Sequence, residues 1–277
     1  MSDDVQSRAD DIDLSGRERQ DAYEQQLMSA RVLHEVIRRS GDEELDRPAL
    51  SLLWSGLAGG VAISASLMGQ ALIESRLPDA PWRPLVASFG YTLGFLIVIL
   101  GRLQLFTEST LSAVIPVATH LSLANVRRML RLWSLVLCFN LIGTLLIATA
   151  TGLSLIGSVE QRAAMLEVSR KLIEHDWLET LKLGVPAGFL IAAVPWIMPV
   201  ARGQGFWVVL ALTYSIALGG FAHVVAGSGE AWLLAVCGET SFAHAAFGLI
   251  LPALLGNIIG GTGLFALLAH AQVRQEL

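Results

Sequence analysis

The sequence has 277 residues, of which 53% are hydrophobic and only 16% carry a charge. Soluble domains average about a quarter charged residues, so this composition excludes an ordinary soluble domain and predicts a protein that crosses a membrane several times. The net charge of -5 arises in the first 47 residues, which hold 13 acidic and 7 basic side chains, and it gives no reason to expect a nucleic-acid partner.

The charged N-terminal segment, residues 1–47, is predicted to be a cytoplasmic segment that precedes a transmembrane domain over 48–277. Residues 1–16 are rich in Asp and Ser and are predicted to be disordered. Residues 17–40 are predicted to form an amphipathic surface helix that ends at Gly41, because apolar residues recur three or four positions apart. These are Tyr23, Leu27, Ala30, Leu33 and Ile37.

The first predicted span covers residues 50–75 and is rich in small residues, which favours close packing of membrane helices. The next apolar run, from Pro84 to Pro116, has 33 residues, whereas a spanning helix needs roughly 20. Residues 105–110 (Leu-Phe-Thr-Glu-Ser-Thr) place hydroxyls and a carboxylate inside this run. Because polar groups in hydrocarbon need partners or water, the run predicts a broken helix that lines a pore.

A basic interfacial stretch is predicted over residues 119–132, followed by a third span over 133–155. Residues 158–181 are charged and amphipathic and predict a helix outside the membrane. The fourth span is predicted over residues 183–200, and a short polar link follows it.

The fifth apolar run, Phe206 to Cys237, has 32 residues and is again too long for one crossing. Its polar residues 227–230 (Gly-Ser-Gly-Glu) predict a second break, and a sixth span is predicted over residues 246–269.

The two halves of the membrane domain share one pattern. Each has a plain span, then an overlong element with a polar break, then a span with Asn-x-x-Gly, and Asn140 and Asn257 are 117 positions apart. Since three crossings per half is an odd number, the halves form two inverted three-helix repeats. Membrane proteins built this way place their pathway at the repeat interface, where the broken helices meet.

Basic residues flanking the spans indicate the orientation. Eight lie on one side: Arg38, Arg39, Arg47, Arg127, Arg128, Arg131, Arg202 and Arg274. Six lie on the other: Arg76, Arg83, Arg162, Arg170, Lys171 and Lys182. The excess predicts a multi-pass protein of the bacterial cytoplasmic (inner) membrane, in contact with lipid, with both termini in the cytoplasm.

Four short motifs carry a resemblance to a known family. They are Leu105-Phe106-Thr107, Asn140-Leu-Ile-Gly143, Gly220-Phe221-Ala222-His223 and Gly256-Asn257-Ile-Ile-Gly260-Gly261. Together they resemble the formate/nitrite transporter (FNT) family over nearly the whole membrane part.

The resemblance implies an all-α membrane protein with six transmembrane helices, an aquaporin-like protomer and a homopentamer with one pore per subunit. It also implies proton-assisted permeation of small monovalent anions such as formate or nitrite. Thr107 matches the family's pore-loop Thr, and His223 its single central His. The chain departs from the family at Ala222, Gly227 and Gly188, where polar side chains near this His are common, and so resembles a divergent branch.

His223 is the only histidine deep in a predicted span. An imidazole titrates near pH ~6.5, so it can lend a proton to a permeating anion, although a structural hydrogen bond is the alternative. Thr107 is predicted to donate to the anion or to His223, or to cap the half-helix that follows. Phe106 and Leu105 are predicted to form an apolar constriction, with plain packing as the alternative.

Ser228 and the amide of Gly227 are predicted to act at the second break as Thr107 does at the first, as hydrogen-bond donors. Arg102 is predicted either to raise the local anion concentration or to pair with Glu108 or Glu230. Asn140 and Asn257 are predicted to support the pore by binding backbone groups freed at the breaks.

Two other functions remain open beside transport of weak-acid anions. One is a regulatory or assembly protein that keeps the scaffold with its pore closed, and the other is a channel for small neutral solutes. An enzyme is not expected, because the sequence has no metal-ligand spacing, no nucleophile paired with a base and no Gly-rich nucleotide loop. No cofactor is predicted.

Overall fold

The computed structural model describes residues 15, 16 and 28–275, and the fold over 28–275 is helical. Ten helices are numbered there: α1 (Ala30–Asp46), α2 (Ala49–Glu74), α3 (Arg83–Leu100), α4 (Ser109–Thr119), α5 (Leu123–Gly152), α6 (Val159–Arg170), α7 (Trp177–Val200), α8 (Gly205–Leu218), α9 (Val224–Val236) and α10 (His244–Val273). A further short helix, Lys171–Glu174, follows α6. The predicted disorder over 1–14 and the predicted helix over 17–27 lie outside the described residues.

Five of these helices, α2, α3, α5, α7 and α10, are long and apolar enough to cross a membrane, and α4, α8 and α9 are shorter apolar helices. The second crossing is made of α3 and α4, and the fifth of α8 and α9. The structure thus confirms an all-α membrane protein with six crossings, of which the second and fifth are broken.

Several boundaries differ from the prediction. Helix α1 does not end at Gly41 but continues to Asp46. The basic stretch before the third crossing is the first part of α5, which begins where the side chain of Ser122 accepts a hydrogen bond from the amide of Asn125. Residues 177–181 belong to the fourth crossing, because Asp176 caps α7 by accepting from the amide of Glu179.

The predicted position of the second break is wrong. Residues 227–230 lie inside α9, where the amide of Gly227 donates to the carbonyl of His223 at 2.8 Å. The chain breaks earlier, over residues 219–223, where Gly220 adopts a φ of 61° that an L side chain rarely adopts. The polar residues mark a helix face that is not in lipid, and the interruption itself comes before them.

The inverted repeat is visible in how the helices pack. In the first half α2 packs on α5, and in the second half α7 packs on α10. A Cβ at Gly143 would meet the carbonyl oxygen of Leu57 and one at Gly260 that of Val185, so both crossings need glycine. The glycine of each Asn-x-x-Gly lets its helix approach its partner closely.

Helix α1 lies against α4, α5 and the end of α10, and it buries Leu33, Ile37 and Leu45. Near its C-terminus the Glu44 carboxyl accepts a hydrogen bond from the hydroxyl of Ser112 at 2.6 Å. Burial raises the pKa of Glu44, although the bond from Ser112 acts in the opposite direction.

We expect Glu44→Gln to stabilise the protein more at pH 8 than at pH 5. Because the folded pKa is raised, the carboxyl favours the folded state below its unfolded pKa, and that contribution is lost as the pH rises through the folded pKa. Glutamine accepts the same hydrogen bond and does not ionise. Thermal unfolding of both proteins between pH 5 and pH 8 measures the effect, with the exposed Glu43→Gln as control. A Tm difference that is equal at both pH values would contradict the expectation.

Candidate functional site

Asn140 holds the first break from inside the protein. Its side-chain oxygen accepts from the amide of Phe106 at 2.9 Å, and its nitrogen donates to the carbonyls of Gly56 and Gln104 at 2.8 and 2.9 Å. The groups of Phe106 and Gln104 lie at the break, where no regular helix satisfies them, whereas the carbonyl of Gly56 lies inside α2. One buried amide side chain therefore satisfies two groups of the break and connects the break to α2.

Asn257 makes the same three contacts in the second half. It accepts from the amide of Val224 at 2.9 Å and donates to the carbonyls of Gly184 and Ala222 at 2.9 and 2.8 Å. These backbone contacts are the ones predicted for both Asn residues. By their contacts with the two Asn side chains, Gln104 of the first half is equivalent to Ala222 of the second, and Phe106 is equivalent to Val224. His223 is therefore equivalent to Leu105.

His223 and Thr107 join the two breaks. The Nε2 atom of His223 lies 2.8 Å from the Thr107 hydroxyl oxygen, and both side chains are buried. The Nδ1 atom accepts from the amide of Ala226 at 3.2 Å, so the imidazole also caps α9. An acceptor nitrogen carries no proton, so the ring is neutral here with its hydrogen on Nε2, which donates to Thr107.

The surroundings of this pair are apolar and tightly packed. The ring of Phe95 meets the imidazole edge to face, with 4.9 Å between their centroids. The alternative role of Thr107 as a helix cap is not observed, since α4 begins after Glu108 without a side-chain cap. Its hydroxyl is therefore available to a group that arrives beside His223.

A cavity of about 310 Å³ leads to His223 from the end of the molecule opposite α1. Its inner wall includes Ala222, His223, Gly227 and Glu230, and it extends outward to Lys171 and beyond. Mostly apolar walls with a few convergent polar groups are typical of a small-molecule site.

The lining of this cavity does not include five of the predicted pathway residues, namely Arg102, Leu105, Phe106, Thr107 and Ser228. Leu105 and Phe106 are each 1% exposed, and the Phe106 ring packs edge to face on Trp133 with 5.5 Å between their centroids. Ser228 does not lie at the second break, because it is inside α9. Its hydroxyl donates to the carbonyl of Val225 at 2.7 Å and shares a 2.8 Å hydrogen bond with Thr144.

Arg102 lies in the first break with a φ of 55°, and its side chain is exposed. Over residues 28–275 of the protomer it forms no direct ion pair with Glu108 or Glu230, although it is near enough to Glu108 to interact with it electrostatically. Glu108 is half-buried, and Glu230 lines the cavity.

The family model described as "Formate/nitrite transporter" matches residues 31–271. The chain belongs to the formate/nitrite transporter family. It is 36% identical to the inner membrane protein YfdC of Escherichia coli (strain K12), across 100% of this chain and 91% of the relative. It is 25% identical to the formate channel FocA of Haemophilus influenzae, across 78% of this chain and 84% of the relative.

Two solved structures share the fold of this FNT protein. One, described as a pentameric formate channel with formate bound, has a TM-score of 0.70 and 18% identity, and covers 82% of this chain and 98% of its own. The other, an FNT family ion channel, has a TM-score of 0.73 and 17% identity, and covers 88% and 98%. The resemblance found in the sequence and the aquaporin-like protomer are thereby confirmed, and the chain is a membrane protein of a transporter and channel family.

The sequence analysis missed several cavity residues of this FNT protein, among them Tyr91, Glu74 and Lys171. Glu74 and Lys171 form an ion pair at 2.8 Å between the end of the first crossing and the short helix Lys171–Glu174 that follows α6. The carboxylate at the end of an apolar span was the signal that could have pointed to Glu74, while nothing in the sequence indicated its partner 97 positions away.

Proposed function

We propose that this protein carries small monovalent weak-acid anions, of the formate and nitrite kind, across the membrane with the assistance of protons. The observation that carries the proposal is the His223–Thr107 pair, which lies between the two broken crossings at the inner end of the cavity. The family supports it, and relatives and a solved neighbour are formate channels by name.

Moving a carboxylate through an apolar interior costs far more than moving the neutral acid of the same size. We assign the buried Leu105 and Phe106 to an apolar constriction, which the neutral acid crosses at a lower free-energy cost than the carboxylate. Arg102, exposed on the protomer, is assigned to attracting anions toward the break.

His223 is assigned to the proton step. Desolvation favours the neutral imidazole at rest, and an anion beside the ring lowers the free energy of its charged form. Since Nδ1 accepts from the amide of Ala226, the ring must release that amide to take up a proton. The proton then passes to the anion, the neutral acid moves on, and the imidazole returns to its cap.

We further propose a homopentamer in the bacterial inner membrane, with both termini in the cytoplasm. A solved neighbour is described as pentameric, and the Escherichia coli relative is named an inner membrane protein. The excess of basic residues on the side of α1 supports this orientation, in which the cavity would open to the periplasmic side.

His223→Phe is expected to abolish pH-dependent formate uptake into proteoliposomes. The proton concentration changes tenfold per pH unit, and the step at His223 consumes an external proton, so the wild type should take up formate much faster at an external pH of 6 than of 8. Phenylalanine fills the space but neither donates a hydrogen bond nor titrates.

His223→Asn is the matched control for folding, because asparagine caps a helix but does not titrate. It should keep the Tm of the wild type and still lose the pH dependence. Unchanged pH dependence in His223→Phe would remove the role of His223. An intact wild-type pentamer that passes no anion would favour the pore-closed regulatory protein, and flux of small alcohols alone would favour a neutral-solute channel.

A further inference from the structure

Helix α9 presents one open strip to the cavity. His223, Gly227 and Glu230 follow each other at helical spacings of four and three residues, and all three line the cavity. A Cβ added at Gly227 would meet nothing closer than the Leu172 side chain at 4.0 Å. The absence of a side chain at Gly227 therefore leaves a gap between the imidazole and the Glu230 carboxylate, about two helical turns apart.

Glu230 is a buried carboxylic acid without a partner. The residue is 9% exposed, and over residues 28–275 its carboxyl makes no hydrogen bond and no ion pair. A buried polar group in that state needs an explanation, and its position on the cavity wall supplies one. Its oxygens are available to water or a permeating molecule.

The other titratable groups of the cavity are Glu74, Tyr91, Lys171, Glu174, His175 and His223. Glu74 is bound to Lys171 at 2.8 Å, and His175 lies 3.2 Å from Glu179. Glu174 is exposed at the outer rim. Tyr91 and Lys171 are near enough to interact electrostatically with Glu230, but a phenol holds its proton near neutral pH. Lys171 binds only one oxygen of Glu74 and leaves the other unpaired, but Glu230 is the buried carboxyl of this cavity that forms no ion pair and no hydrogen bond over residues 28–275.

His223 itself cannot gain a proton without help from the cavity side. Both ring nitrogens are hydrogen-bonded within the protein, and Thr107 and Phe95 cover the ring from the first half of the fold. A proton that reaches Nδ1 has to cross the gap at Gly227.

We propose that Glu230 is a proton-loading residue, which delivers to His223 the proton that neutralises the permeating anion. This inference rests on the proposed function and names a second residue for it. In the step, the Glu230 O–H bond breaks, the proton moves through water in the gap, and an N–H bond forms at Nδ1. The Glu230 carboxylate then takes a new proton from water in the outer part of the cavity.

The test is formate uptake into proteoliposomes by the full-length protein at saturating formate and an external pH of 6. Glu230→Gln is isosteric and carries no transferable acidic proton, so uptake should fall about tenfold or more, a loss typical of removing a positioned proton donor. The formate concentration at half-saturation should stay unchanged, and Glu230→Asp should retain part of the rate.

Chemical rescue separates proton delivery from packing. Imidazole buffer, a small diffusible proton carrier that fits a cavity of about 310 Å³, should restore uptake by Glu230→Gln and leave the wild type unchanged. Glu174→Gln removes the same charge from the outer rim and should behave like the wild type.

Two results would overturn the inference. One is a Glu230→Gln variant with the rate and pH profile of the wild type. The other is a slower variant that imidazole does not rescue and whose Tm is lowered, which would assign Glu230 a packing role. Either result leaves the proposed function standing if the wild type transports formate, whereas a wild type that takes up no formate contradicts the proposed function itself.

Discussion

Asn257→Ala is expected to lower the free energy of unfolding by about 2 kcal/mol or more, because two buried backbone groups of the second break lose their partner at once and each unsatisfied group costs about 1–3 kcal/mol. These groups are the amide of Val224 and the carbonyl of Ala222, and the bond to the carbonyl of Gly184 inside α7 is lost with them. Water cannot replace the lost bonds without entering a site where Asn257 is fully buried. The same reasoning applies to Asn140 at the first break.

Thermal unfolding of the pentamer in detergent measures this loss. Asn257→Asp keeps the acceptor for the amide of Val224 but loses both donors, so its Tm should fall well below that of the wild type. Asn125→Ala is the control, since Asn125 is only half-buried at the start of α5, where it donates to a single carbonyl and accepts from Arg128. If Asn257→Ala melted within a degree or two of Asn125→Ala, the break would have to be held by other contacts.

Gly260→Ala is expected to destabilise the protein by about 1–3 kcal/mol through overpacking. A Cβ at this position would meet the carbonyl oxygen of Val185 and, at 2.8 Å, the amide nitrogen of Phe189. Both are backbone atoms of α7, so neither can move aside as a flexible side chain does. The two crossings must separate, and the register that brings Asn257 to the break shifts with them.

Gly229→Ala is the control with the opposite expected sign. A Cβ there would meet nothing closer than Thr144 at 3.9 Å, and alanine favours a helix over glycine by up to about 1 kcal/mol. We therefore expect the Tm to rise or stay unchanged in Gly229→Ala and to fall in Gly260→Ala. A fall of equal size in both variants would show that any loss of glycine is harmful, and that close packing of α7 on α10 is not the cause.

The breaks could be predicted because two independent features of the sequence indicate them. An apolar run of more than 30 residues cannot be one crossing, and Asn140 and Asn257 stand at equivalent places in the two halves. Length and repeat therefore determined the number of crossings, their inversion and the contacts of both Asn side chains.

The second break was misplaced because polar composition indicates contact with something other than lipid, not an interruption of the helix. Gly227 and Glu230 are helical and line the cavity, whereas the interruption uses Gly220 and the capping side chain of His223. A histidine at the start of a helix can cap it, and that reading of His223 would have moved the break to its observed place.

The environment of the charged side chains could not be read from the sequence. Arg102 was a candidate partner for Glu108 and Glu230, but pairing depends on the direction in which each break turns, and no local pattern encodes that direction. Likewise the pairing of Glu74 with Lys171 arises only when the first crossing packs beside the segment that follows α6.

The two halves share one backbone pattern in opposite orientations but differ in chemistry, since Leu105 stands where the other half has His223. On the proposed pathway, a solute entering from the cavity side would meet Glu230 and the imidazole before the apolar residues, and one entering from the side of α1 would meet them in the reverse order. Equal concentrations still give no net movement, because a passive route cannot do work. Away from equilibrium, however, the two directions need not be equally fast, and unequal initial rates of inward and outward transport are the expected signature of such an asymmetric pathway.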